Sequence, residues 1–290
     1  MTLVRSLAGL FAGILFLALP AAGDEDGFVA FTETAPYSST AEIIRRMGVP
    51  SDFRAVVDRL AENGKALADQ PIDPAQEQFY LHVPPDMPAD GYNLLVWVWP
   101  FEQSILPRGW GRALDKHGMI FVAAAHSGNS RKIESRRAPL ALIGAFNVMK
   151  RYRVNPDHVF IGGLSGGSRV SERLALAYPD LFRGALLNAS SDALDTLTLP
   201  PDDLFTRFLE TSHLVLITGD LDLINLGLDT GAMNSFREFC MFRYESHKVA
   251  NLNHAVLPPA AFESGLRALL DPPPPDDEKV RACRQAKAAR

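Results

Sequence analysis

The stretch Asp157–Phe182, DHVFIGGLSGGSRVSERLALAYPDLF, constrains the fold of this chain more than any other. It passes without a break from an apolar strand, Val159 to Ile161, through Gly163-Leu164-Ser165-Gly166-Gly167 into an amphipathic helix carrying Leu174, Leu176 and Ala177. A short glycine and serine pattern arises easily by chance in loops. A strand running straight in and a helix running straight out give it structural meaning, because together they define a sharp strand-to-helix turn. The central residue of such a turn is held in a strained conformation, which only small neighbours tolerate. Gly163 and Gly167 supply that space. No lysine follows the glycines, which argues against a phosphate-binding loop.

Around this turn the chain alternates short apolar runs with longer amphipathic ones. The runs Gln78–Val83, Asn93–Trp99, Met119–Ala125, His158–Gly162, Gly184–Asn188, Leu214–Thr218 and Met241–Ser246 read as strands. Several are unbroken apolar stretches, as central parallel strands covered on both faces must be. Pro139–Tyr152, Ser168–Tyr178 and Pro259–Leu270 carry helical periodicity, with Pro259 suited to a first turn. The expected class is α/β, with a mostly parallel central sheet and helices on both faces. Residues 76–270 form the expected main domain. Residues 24–75 read as an N-terminal extension with a helical patch at Phe53–Leu67, and residues 271–290 as a proline-opened, charged tail.

A serine lifted above the sheet edge by such a turn is a candidate nucleophile. It needs a histidine to take its proton and a carboxylate to orient that histidine. In the α/β-hydrolase arrangement these follow in the order serine, acid, histidine. Of the histidines after Ser165, His213 precedes a strand and stands at its wrong end. His254 lies in the polar loop Asn251-Leu252-Asn253-His254, between the last strand and the last helix, and is preferred to His247. Gly219-Asp220-Leu221-Asp222 follows an apolar strand and offers two carboxylates. Asp222 is preferred, since Asp220 sits near enough to the strand end to serve as a turn-former. The oxyanion formed during acyl transfer would be met by the backbone N–H of Gly166 and of a residue after Asn93–Trp99. Pro100 has no N–H, so Phe101 is the candidate. No cofactor or metal is expected.

At the N-terminus, Arg5 precedes the apolar run Leu7–Leu19, followed by Ala21, Ala22 and Gly23. This is the layout of a signal peptide cleaved near Ala22 or Gly23. The run is shorter than the roughly 20 residues a spanning helix needs, so no stable membrane anchor is expected after cleavage. Loss of residues 1–23 moves the formal charge from −5 to −6 by removing Arg5. A mildly acidic chain with scattered Lys and Arg does not suit nucleic acid. Cys240 and Cys283 are the only cysteines; in an exported chain, secreted or periplasmic, they read as one disulfide. Arg131, Arg136 and Arg137 read as a solvated basic cluster outside the site.

The run Asn155-Pro156-Asp157-His158-Val159-Phe160-Ile161-Gly162-Gly163-Leu164-Ser165-Gly166-Gly167 resembles the D-P-x-R-V-Y-V-x-G-x-S-x-G-G segment of the poly(3-hydroxybutyrate) depolymerase-like esterases. That group includes relatives acting on feruloyl and acetyl esters. Asn155 and His158 depart from the usual Asp and Arg. The resemblance extends loosely from about Gly91 to Leu270 and implies a secreted or periplasmic enzyme that cleaves small or oligomeric esters through an acyl-enzyme. No serine- and threonine-rich linker or added binding module is evident, which favours soluble substrates over solid polymer. Two alternatives are a serine peptidase and a catalytically inactive binding protein of the same fold. A peptidase of the prolyl oligopeptidase type would carry a large N-terminal propeller, for which the extension is too short.

Overall fold

The computed structural model describes residues 26–289. The expected signal peptide, residues 1–23 with cleavage near Ala22 or Gly23, lies outside the described residues. Eight strands within the described residues form one sheet: β1 (Asp26–Val29), β2 (Phe79–His82), β3 (Tyr92–Val98), β4 (Met119–Ala124), β5 (Val154–Leu164), β6 (Gly184–Asn188), β7 (His213–Gly219) and β8 (Tyr244–Val249). Their order is β1-β2-β4-β3-β5-β6-β7-β8. β1 and β2 pair antiparallel, as do β2 and β4. All pairings from β4 to β8 are parallel.

The two-residue period of the buried strands divides the interior into two layers. On β3, Leu94, Val96 and Val98 face one layer, while Leu95 and Trp97, continued by Trp99, face the other. On β7, Leu214 and Leu216 alternate in the same way with Val215 and Ile217. The first layer is covered by α4 (Ala138–Arg151), α5 (Gly166–Ala177) and α6 (Asp202–Thr211), with Phe236 of α7 (Leu223–Glu238). The second is covered by α3 (Trp110–Lys116) and α8 (Pro259–Leu270). Trp110 and Phe262 join these two helices by stacking, with ring centroids 3.6 Å apart. Each of these fully buried aromatics contributes on the order of 1.5–3 kcal/mol.

The segment before Gln76 shares in this fold. β1 extends the sheet edge. In α1 (Thr40–Met47), Ile43 is buried and Arg46 binds Glu42, Asp180 and the Ala177 carbonyl while lying 4.4 Å over the Tyr178 ring. Among residues 51–62 of α2 (Pro50–Glu62) none is buried, and the expected apolar face leaves Val56 and Val57 in solvent.

Two further elements differ from the reading of the sequence. The last strand begins three residues later than Met241, because the chain turns at Cys240 (φ 56°) and seats Met241 in the core as a plug. The charged tail forms α9 (Asp277–Ala288), with no buried residue, and is tethered by a Cys240–Cys283 disulfide. Among the described residues no helix is long and apolar enough to cross a membrane.

Candidate active site

Ser165 stands between the end of β5 and the start of α5 with φ 55° and ψ −121°. This is backbone space that side-chain-bearing residues rarely enter. Three glycines make it possible. A Cβ on Gly163 would run into the backbone of Gly167, one on Gly167 into the Val98 carbonyl, and one on Gly166 into the Asn129 side chain. The turn therefore packs directly on the end of β3. Pairing of Gly163 with Val98 and of Leu164 with Asn188 puts Ser165 at the carboxyl ends of the central strands, where ligands gather in open α/β sheets. The Ser165 N–H donates to the Asn188 carbonyl at 2.8 Å.

The candidate acid and base meet across two interlocked loops. A Cβ on Gly219 would strike the Leu252 carbonyl. The Leu221 N–H donates to that same carbonyl at 3.1 Å, and the Asn251 N–H to the Asp220 carboxylate at 2.8 Å. Asp222, at the N-terminus of α7, faces His254 with Oδ2 2.6 Å from Nδ1. A carboxylate only accepts, so Nδ1 carries the proton and Nε2 is left as the acceptor in the neutral ring. The Asn225 amide also donates to both Asp222 oxygens, at 2.8 and 2.9 Å. Its 3.0 Å approach to His254 Nδ1 is thus a contact between two donors sharing one acceptor. Asp222 is 8% exposed. Burial raises its carboxyl pKa, but the hydrogen bonds from His254 and Asn225 outweigh burial and hold it below the ordinary value.

Asn188 ties this pair to the elbow. Its carbonyl holds the Ser165 N–H and its side-chain amide donates to the Ala255 carbonyl at 3.3 Å, one residue past His254. Among the described residues the Ser165 hydroxyl makes no hydrogen bond, and His254, 45% exposed, binds only the Asp222–Asn225 group. His213 and His247 instead share the Glu245 carboxylate, at 3.2 and 3.1 Å.

Gly166 opens α5, so its N–H has no partner within the helix. Phe101 lies in the loop after β3, with its ring stacked on Trp99 at 5.0 Å, and its N–H donates no hydrogen bond among the described residues. That loop is pinned to the one after β4. The Asn129 N–H donates to the Pro100 carbonyl at 2.8 Å and the His126 N–H to the Glu102 carbonyl at 2.6 Å. Gly128 passes so close that a Cβ would lie 2.8 Å from the Phe101 carbonyl carbon.

The basic cluster is not solvated throughout. Arg131 pairs with Glu102 and Arg136 with Glu77. Arg137 is 4% exposed and donates to the carbonyls of Trp99 and Ser127, at 3.1 and 2.8 Å, clamping both loops. No sequence signal marks that burial. Asn225 was findable: it stands three residues past Asp222, where a helix-capping carboxylate meets its partners.

No family model matches the chain, and no curated protein sequence is similar to it. Among solved structures it is similar to fluorophosphonate-binding serine hydrolase F of Staphylococcus aureus, with TM-score 0.52 and 12% identity over 85% of this chain and 99% of that one. A poly(3-hydroxybutyrate) depolymerase of Bordetella parapertussis reaches TM-score 0.49 and 15% identity, covering 71% of this chain and 88% of its own. An S-formylglutathione hydrolase of Staphylococcus aureus also reaches 0.49, with 14% identity, 67% of this chain and 91% of its own. The eight-stranded, mostly parallel sheet with helices on both faces is an α/β-hydrolase fold. Its structural neighbours are serine hydrolases.

Proposed function

We propose that this chain is an exported serine hydrolase that cleaves carboxylic esters. The observation that carries the reading is the 2.6 Å Asp222–His254 contact, hung by Asn188 beside a serine on a positive-φ elbow. Ser165 Oγ attacks the ester carbonyl while His254 Nε2 takes its proton. Asp222, ionised at neutral pH, holds the imidazole in the tautomer this requires and stabilises the imidazolium. The N–H groups of Gly166 and Phe101 receive the developing oxyanion. Collapse of the tetrahedral intermediate expels the alcohol, which takes the proton back from His254 and leaves an acyl-Ser165. Water repeats the sequence and releases the acid. Export is supported by the N-terminal sequence pattern and by the Cys240–Cys283 bond.

The test is intact mass after incubation with a fluorophosphonate, comparing the wild type with Ser165→Ala. Labelling of the wild type alone, followed by turnover of p-nitrophenyl acetate, is the expected result. A folded wild type that takes no label would leave the binding-protein reading in its place.

A further inference from the structure

The space beside Gly166 is taken by an amide. A Cβ on Gly166 would lie 2.8 Å from both Cγ and Nδ2 of Asn129 and closer still to its Oδ1, so glycine here admits the Asn129 side chain to the residue that follows the nucleophile. A Cβ stands about 2.5 Å from its own backbone nitrogen, which puts the Asn129 amide nitrogen no more than about 5.3 Å from the Gly166 N–H. Two donors that share one acceptor at about 2.9 Å stand up to about 5.8 Å apart. The amide is therefore within reach of an oxygen held by Gly166.

The backbone of Asn129 is tied to the other side of the same site. Its N–H donates to the Pro100 carbonyl at 2.8 Å, and that carbonyl belongs to the peptide plane that carries the Phe101 N–H. One residue thus fixes the plane of the second candidate oxyanion donor and lays its side chain against the first. Asn129 is exposed, and its amide makes no hydrogen bond among the described residues. We propose that this amide donates to the oxyanion, as a third donor beside the N–H groups of Gly166 and Phe101. The inference rests on the proposed ester hydrolysis and adds a catalytic residue to it. As Ser165 Oγ adds to the ester carbonyl, the electron pair of the C=O bond moves onto its oxygen. A donor that binds nothing in the resting protein gains most from that developing charge. The last torsion of an asparagine is soft, so a half-turn brings Nδ2 rather than Oδ1 to the oxygen. No proton leaves the amide.

The experiment measures kcat and KM for p-nitrophenyl acetate, the inhibition constant of a trifluoromethyl ketone, and Tm, on the full chain and on Asn129→Ala and Asn129→Asp. The ketone adds to an active serine as a hemiketal oxyanion, so it reports oxyanion binding without turnover. In Asn129→Ala, kcat should fall on the order of 10²-fold with KM held within about threefold, as loss of one side-chain donor predicts. The inhibition constant should rise by the factor through which kcat/KM falls, with Tm unchanged. Asn129→Asp keeps the shape, loses the donor and sets a charge against the oxyanion, so its kcat should fall further. Wild-type kcat in Asn129→Ala, or a fall in kcat that leaves ketone binding unchanged, overturns the proposal. A loss of Tm that accompanies the loss of kcat also overturns it, since Asn129 then serves only to support the loop after β3. Wild-type protein that neither turns over the ester nor takes the fluorophosphonate label removes the ester-hydrolase reading and this donor with it, a result distinct from active variants of an active enzyme.

Discussion

Replacing Ser165 by glycine should make the protein more stable than replacing it by alanine, the reverse of the usual order. At an ordinary site alanine is favoured over glycine by about 0.4–1 kcal/mol, because glycine has more freedom to lose on folding. Ser165 sits at φ 55° and ψ −121°, and a side chain held in such a sparsely populated region costs on the order of 1–3 kcal/mol. Alanine keeps the Cβ and so keeps the strain. The Ser165 hydroxyl makes no hydrogen bond among the described residues, so the alanine variant should melt within about 0.5 kcal/mol of the wild type. Glycine relieves the strain, for a net gain over alanine of about 1 kcal/mol. In a domain of this size that corresponds to a rise of about 2–4 °C in Tm. Calorimetry on wild type, Ser165→Ala and Ser165→Gly reads this directly. A glycine variant that melts at or below the alanine variant would refute the claim that the elbow stores strain. Both variants should be inactive, so the experiment separates the conformational demand of the site from its chemistry.

Asp222→Asn should lower kcat by a factor on the order of 10³–10⁴, by favouring the wrong imidazole tautomer. Asp220→Asn should change it only a few-fold, because Asp220 serves the Asn251 N–H; the opposite ranking would move the acid to Asp220. Glu172 is fully buried, and its carboxyl is held well above the ordinary range by burial and by the charges of Asp192 and Asp229, against the Asp192 N–H that favours the anion. The folded chain therefore keeps a proton that the unfolded chain loses at about pH 4.3, and stability falls as pH rises above that point. Glu172→Gln has no such proton, so its Tm should gain on the wild type between pH 4 and pH 8, and a constant gap would sink the assignment. Reduction of the disulfide opens a 43-residue separation, and the chain-entropy argument puts the loss at about 4 kcal/mol at most. Thermal melts with and without reductant measure it, and an unchanged Tm would mean that the tail bond does not constrain the unfolded chain.

The central sheet was legible because strands covered on both faces are largely apolar, as Tyr92–Val98 and His213–Gly219 are, every residue of both being buried. α8 begins and ends at the expected residues, Pro259 and Leu270, since its proline and its periodicity agree. α7 was not legible. Its outward face is apolar and glycine-bearing, so the contrast between faces that periodicity detects is missing. β1 is four residues long, half exposed, and too short to show a period. At the site, the elbow is a local feature and reads from local sequence. That Asp222 rather than Asp220 meets His254 follows from distance along the chain, since three residues past Gly219 leave room to turn. Asn188 and Arg137 act through contacts 67 and 38 residues away, and no local pattern carries such information.

Among the described residues the sheet has two free margins, β1 and β8, and they decide how the folded protein behaves at high concentration. An unpaired strand offers a row of N–H and C=O groups to any other chain. β1 offers little of it, being four residues long with Gly27 inside it. β8 is longer, but it carries Glu245, His247 and Lys248, so a second copy laid alongside would bring unscreened charge into the new ladder. An edge strand charged in this way is a poor template for fibrils.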